Sequence, residues 1–421
     1  MNCLTSKELR RMKNVPEIRF KGFEDEWERL VVSDLLQVNK TLNTDNRYGR
    51  EDVLSVSDEC GIVNQIKYLG RSYAGKSVLK YKVVKPNQIV YTKSPLKDKP
   101  YGIVKQSDIY GIVSSLYAVY DIIGNCIPSY IQWYFEPYYR INKYFRPLVN
   151  KGAKNTINIS DTNAVTGTIY IPKIVEQTII SSYLEFLSKH INDTTKKIAS
   201  LKQLKSASLI SMFPQQGETV PRIRFKGFNG EWKKKKLNSF SSRITRKNSK
   251  LETKLPVTIS ALNGIIEQTM FFNNIVASSN LSGYYLIKKG EFAYNKSYSC
   301  GFPFGAVKRM DRYEMGALSN LYIVFKLEDT VCDDYILYLF ETSTWHKEVS
   351  MRASEGARNH GLLNIGAEDF LDIDIWVPND KAEQHQIASY FRNLDIQISE
   401  QEKRLEKLKQ IKAACLDKMF V

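Results

Sequence analysis

The chain has 421 residues, 43% of them apolar and 25% charged, a globular composition long enough for two or three domains. No apolar run reaches the roughly 18 residues of a membrane span, and Lys7, Arg10, Arg11 and Lys13 are followed by no apolar stretch, so neither an anchor nor a secretory signal is expected. A formal net charge of +16 points to a polyanionic partner (DNA, RNA or a membrane surface), with a diffuse basic bias as the plainer alternative.

In chain order, the first recognisable element is Val15-Pro-Glu-Ile-Arg-Phe-Lys-Gly-Phe23, followed by Trp27. Residues 53–123 then hold short β-rich runs, Val78–Val84, Gln88–Tyr91 and Ser115–Ile122, separated by Gly, Pro, Asn and Asp. Within them, Gly70-Arg-Ser-Tyr-Ala-Gly-Lys-Ser77 matches a phosphate-cradling loop formally. Its context argues against that role, because a half-polar run precedes it and a strand pattern, not a helix, follows it. ATP binding lost in Lys76→Ala would revive it. Ser129–Phe135 reads as a short helix and Asn150-Lys-Gly-Ala-Lys-Asn155 as a Gly-centred loop. After Ile171-Pro172, the stretch from Glu176 to Phe213 has neither Pro nor Gly and predicts a helix roughly 57 Å long. Its apolar seam runs Ile180, Leu184, Leu187, Ile191, Thr194, Ile198, Leu201 and Leu204, close to period 3.5.

The chain then starts again. Val220-Pro-Arg-Ile-Arg-Phe-Lys-Gly-Phe228 repeats the opening segment 205 residues on, with Trp232 in the place of Trp27. Residues 255–326 repeat the β-rich pattern, and Tyr335–Glu341 reads as a short helix. Arg352-Ala-Ser-Glu-Gly-Ala-Arg-Asn-His360 parallels the 150–155 loop. Val377-Pro378 and Glu383-Gln384 repeat Ile171-Pro172 and Glu176-Gln177. The second long helix has its seam at Ile387, Phe391, Leu394, Ile398, Gln401, Leu405, Leu408 and Ile411. Met212-Phe213 and Met419-Phe420 close the two copies. The expected class is α+β: two repeated domains with mixed or antiparallel sheets, joined and spaced by two long antiparallel coiled-coil helices in pseudo-twofold relation. In that arrangement Thr194 and Gln401 meet near the axis as a register device. The alternative is two amphipathic helices, each packed on its own domain.

Charge separates the copies. Residues 220–250 carry eleven cations against Glu231, a net +10, whereas residues 15–45 carry four against seven carboxylates, a net −3. Lys233, Lys234, Lys235, Lys236, Arg243, Arg246 and Lys247 read as a phosphate-binding strip, with a solvated face as the alternative. Neutralising Lys233–Lys236 is therefore expected to lower the salt dependence of DNA binding more than neutralising Lys21, Arg29 and Lys40. Base readout needs Arg, Lys, Asn or Gln at base edges. Lys151, Lys154 and Asn155 in the first loop, and Arg352, Arg358, Asn359 and His360 in the second, are the candidates, with Lys93 and Lys296 less marked. Six scattered cysteines without CxxC spacing suit a reducing cytoplasm and disfavour a disulfide scaffold or a zinc site. Four dispersed histidines, no adjacent prolines and no Gly-x-Gly loop leave no enzyme signature. Glu383-Gln-His-Gln386 reads as a solvated helix face.

Two variable regions, each opened by Pro-x-Ile-Arg-Phe-x-Gly-Phe…Trp and closed by Ile/Val-Pro…Glu-Gln and a long helix, resemble the specificity (S) subunit of type I restriction–modification enzymes. The resemblance spans essentially the whole chain. It implies target-recognition domains over 1–172 and 214–378, with spacer helices over 173–213 and 379–421. It implies a non-catalytic cytoplasmic subunit that binds double-stranded DNA at an asymmetric bipartite site. It further implies docking of two methylation subunits, which would carry S-adenosylmethionine, and of restriction subunits; no cofactor or metal is expected on this chain. A coiled-coil adaptor that binds nucleic acid without sequence preference remains the alternative.

Overall fold

The structure is a computed structural model that describes residues 14–96, 99–151, 157–272, 276–278, 280–299, 301–353 and 363–421. The chain divides into two compact units, Met1–Thr195 with Lys403–Val421, and Lys196–Glu402. The division cuts both long helices, Ile174–Ser211 and Lys381–Lys418, each 38 residues long.

Each unit is α+β. In the first, a four-stranded antiparallel sheet is ordered Leu36–Val38, Tyr117–Ile122, Ile89–Thr92, Ile103–Gln106. Two smaller pairs accompany it, the hairpin Leu54–Ser57/Gly61–Asn64 and Lys82–Val84 with Gly111–Val113. In the second, the equivalent sheet is Ser241–Arg243, Ile323–Leu327, Phe292–Asn295, Ala306–Arg309. A further four-stranded sheet there is mixed, because Pro256–Ser260 runs parallel to Met315–Leu318. The short helices form as Pro128–Phe135 and Asp333–Leu339. The run expected as a strand from Val78 is extended only over Lys82–Val84; Val78–Tyr81 is a turn closed by Tyr81 N–H donating to Val78 O at 3.0 Å.

The repeated segments explain themselves as a clamp. Arg19 donates two hydrogen bonds to Glu176, at 2.7 and 2.8 Å, and Arg224 donates two to Glu383 at the same distances. Both glutamates are 1% exposed. The neighbouring glutamines are also buried. Gln177 accepts from Ile127 N–H at 3.0 Å and donates to Pro172 O at 2.8 Å; Gln384 accepts from Cys332 N–H at 2.9 Å and donates to Pro378 O at 3.0 Å. The solvated face expected for residues 383–386 is thus corrected: only His385 and Gln386 are exposed. A buried charge needs a partner of this quality, and the opening arginine supplies it.

Each unit also ends in the same way. Met212 and Phe213 lie in the core of the second unit with Trp232, Tyr335 and Phe391; Met419 and Phe420 lie in the core of the first with Trp27, Tyr130 and Leu184. Ile223 N–H donates to Ser211 O, and Ile18 N–H to Lys418 O, both at 2.9 Å. The second opening segment is therefore fixed to the helix just before it in sequence. The first is fixed to a helix end 400 residues away.

The seam holds with one correction. Ile180, Leu184, Leu187, Thr194 and Ile198 are buried, as are Ile387, Phe391, Leu394 and Ile398, while Ile191, Leu201, Gln401, Leu405 and Leu408 are half-buried. Leu204, read as a seam position, is 47% exposed. The step of four after Leu201 carries the seam to Lys205 and then Ser208 and Met212. Lys205 pairs with Asp395 at 2.7 Å and with Glu341 at 2.8 Å. Inside the second unit the helix segments run antiparallel, with Lys202 bonded to Glu402 at 2.7 Å and Ser208 to Tyr390 at 2.9 Å.

Candidate nucleic-acid interface

In the second unit, Lys233–Lys236 is a strand, paired antiparallel with Asp374–Val377, and all four lysines are exposed. Period-2 alternation splits them into two sets. Lys234 reaches Glu348 at 3.2 Å and lies over the Trp376 ring, 5.5 Å from its centroid; Lys236 pairs with Asp372. Arg352 binds the same two carboxylates, Glu348 at 2.7 Å and Asp372 at 3.4 Å. Lys233 and Lys235 have no ion-pair partner among the described residues, and neither has the exposed Arg243. Burial pushes the Glu348 carboxyl up, but Arg352 and Lys234 outweigh it and hold it below the usual range. Lys236 first, then Arg352, holds Asp372 low against a smaller opposing effect of burial. Both carboxylates therefore stay ionised and keep three cations in a fixed array.

The other candidates are placed less openly. Arg246 pairs with Glu291 at 2.8 Å and donates to Leu286 O at 2.9 Å. Lys247 donates to Asn320 and sits 3.7 Å from the Tyr285 ring centroid. Lys296 is half-buried and reaches Ile365 O at 3.4 Å. In the first unit, Lys93 pairs with Asp161 at 2.8 Å, and Lys82 holds the same carboxylate. Burial works against ionisation of Asp161, yet the two lysines keep it low. Lys151 forms a strand pair with Ile157. Lys154, Asn155, Arg358, Asn359 and His360 lie outside the described residues.

The structure adds side chains that the sequence reading did not single out. After its first hairpin each unit carries a short helix, Gln65–Leu69 or Gln268–Phe272, with exposed apolar side chains. Tyr68 and Tyr73 are exposed in the first unit, with the Arg71 guanidinium over Tyr73 at 4.6 Å; Met270, Phe271 and Phe272 are exposed in the second. Arg47, Arg50, Lys67, Arg71 and Lys76 are exposed in this part of the first unit. Glu51 and Glu59 are exposed there too, so these cations alternate with carboxylates instead of forming an uninterrupted basic strip. The adjacent aromatics Phe271-Phe272 were a visible signal for the second. The Gly70–Ser77 loop follows a helix and leads towards the strand Lys82–Val84, the reverse of a phosphate-cradling order.

Neither a protein-family model nor a curated protein matches the chain. Solved structures do. The HsdS subunit from Thermoanaerobacter tengcongensis is 14% identical, covering 94% of this chain and 96% of its own, with a TM-score of 0.46. A chain from a type I restriction–modification system, described for its complex assembly and conformational transition, is 14% identical over 94% and 97%, at 0.45. The S subunit of the type I restriction–modification system from M. genitalium is 12% identical, covering 97% of this chain and 99% of its own, at 0.56. The chain has the fold of a type I specificity subunit. In that fold the clamp and the buried Met212-Phe213 and Met419-Phe420 ends, which plug the two cores, are the repeated framework, and the 233–236 strand, the 65–77 segment and the 268–272 helix belong to the parts that differ between the copies.

Proposed function

We propose that this chain is the non-catalytic, DNA-reading subunit of a type I restriction–modification enzyme. Each unit reads one half of an asymmetric bipartite site, and the two long helices set the unread gap, with Thr194 and Gln401 fixing their register. Methylation subunits dock on this chain and bring S-adenosylmethionine chemistry to adenine; restriction subunits join them in the cytoplasm. The observation that carries this reading is duplication with divergence. Both copies keep the same arginine–glutamate clamp and the same Met-Phe plug, yet one presents Lys233–Lys236 where the other presents Glu28–Val31. A shared scaffold bearing two unlike surfaces suits two unlike half-sites.

Competition binding of the chain assembled with its methylation subunits tests it. A duplex carrying both half-sites is expected to outcompete random DNA by about 10³-fold or more. Equal competition by random DNA would instead make the chain a coiled-coil adaptor with a sequence-indifferent basic strip.

A further inference from the structure

The two units can be compared position by position, because their hydrogen-bonded frames coincide. The first hairpin turns through Asp58-Glu59-Cys60, closed by Ser57 opposite Gly61; the second turns through Ala261-Leu262-Asn263, closed by Ser260 opposite Gly264. Lys105 lies opposite Val90, the residue before Tyr91, and Lys308 opposite Ala293, the residue before Tyr294. Lys99 and Phe302 each accept, through the backbone carbonyl, from the glycine three residues on. Glu136 and Glu341 follow equivalent helices. Lys412 lies over Trp133 at 4.8 Å, and Lys205 over Tyr338 at 5.2 Å.

In the first unit this place is spanned by ion pairs. Asp58 binds Lys99 at 2.5 Å and approaches Lys105 at 3.8 Å; Lys105 pairs with Glu136 at 2.7 Å. In the second unit Ala261 supplies no carboxylate, Phe302 stands for Lys99, and Glu341 is taken by Lys205 at 2.8 Å. Lys308 remains half-buried with no hydrogen-bond or ion-pair partner among the described residues. A cleft of about 470 Å³ opens there, lined by Lys205, Leu262, Phe302, Lys308, Glu341 and His346 among others. Two apolar side chains of its lining face solvent, Leu262 at 83% and Ile210 at 55% exposure.

We propose that this cleft receives an acidic side chain presented on a turn of a protein partner, its carboxylate seating on Lys308 and its apolar neighbours covering Leu262 and Ile210. The first unit holds the pattern for the occupant, an aspartate carried on a polypeptide turn. Burial holds the Lys308 ammonium below its ordinary pKa; Lys205 adds to this, while Glu341 and Asp395 oppose it. A carboxylate brought to Nζ stabilises the charged form and offsets the burial. The inference does not rest on DNA reading, and a failed DNA competition would leave it standing.

The test uses the full chain with its lysines reductively ¹³C-dimethylated, the Lys308 signal being assigned by its loss in Lys308→Gln. The probe is the peptide acetyl-Leu-Asp-Gly-amide at millimolar concentration. The Lys308 signal is expected to shift saturably with this peptide and to stay still with its Leu-Asn-Gly counterpart. Ala261→Asp, which supplies the carboxylate internally, is expected to raise the Lys308 pKa and abolish the peptide response. An unmoved Lys308 signal, or an equal shift with the asparagine peptide, would overturn the proposal. An equal response to sodium acetate would overturn the assignment to a polypeptide. Ala261→Asp that leaves both the Lys308 pKa and the peptide response unchanged would overturn it as well.

Discussion

Lys233 and Lys235 differ from Lys234 and Lys236 by one step along a strand, and that step decides what each can do. Glu348 and Asp372 already hold Lys234, Lys236 and Arg352, so a phosphate must compete for these three with an internal carboxylate. Lys233 and Lys235 are exposed, with no such competitor among the described residues. Each phosphate contact contributes about 0.9 to the slope of log K against log salt. The double variant Lys233→Gln/Lys235→Gln is therefore expected to reduce the slope by about 2 and to weaken binding evenly across sequences. Lys234→Gln/Lys236→Gln is expected to change it less. Binding isotherms at a series of salt concentrations separate the two pairs, and equal slope changes would mean that the internal carboxylates do not matter.

Among elements, the clamp between opening segment and long helix is the one whose loss is most costly. Removing one partner of a buried pair strands the other charge, at about 3–5 kcal/mol. Glu383→Leu is expected to lower stability by that order in denaturant titrations followed through Trp232 fluorescence, and adding Arg224→Met is expected to recover most of it. Failure of the double variant to recover would show that the pair contributes more than mutual neutralisation. The clamp was half legible in the sequence. The repeats of Arg19 and Glu176 as Arg224 and Glu383 were visible, but the partners lie about 158 residues apart, and helical position alone made Glu383 look solvated. The long helices were legible because burial of one stripe imposes period 3.5 on apolar residues. Lys205 was not, because a charge can occupy the stripe only when distant carboxylates meet it, here Glu341 and Asp395. The short helices at 65–69 and 268–272 escaped notice because five residues carry too little periodicity. Phe271-Phe272 stand side by side in the sequence, but that they are exposed is recognisable only in three dimensions. The internal pairing of Lys93 and Arg246 was invisible for the same reason as Lys205, whereas Arg352 meets Glu348 four residues before it on one helix.

For the whole molecule, the +16 net charge resolves into two unlike distributions on one repeated frame. The second copy concentrates its excess in the opening segment and the 233–236 strand, whereas in the first copy exposed cations such as Arg47, Lys67 and Lys76 alternate with carboxylates along the variable region. If each unit reads one half-site as proposed, the two 38-residue helices are the elements of the chain long enough to serve as the ruler. The decisive measurement is methylation-sensitive sequencing of DNA modified by the assembled enzyme, with the natural chain and with one four-residue helical step inserted within 196–205. The natural chain is expected to give one bipartite motif. The insertion is expected to lengthen its unread gap and leave both half-sites unchanged. An altered half-site with an unaltered gap, or a single uninterrupted motif, would contradict the account.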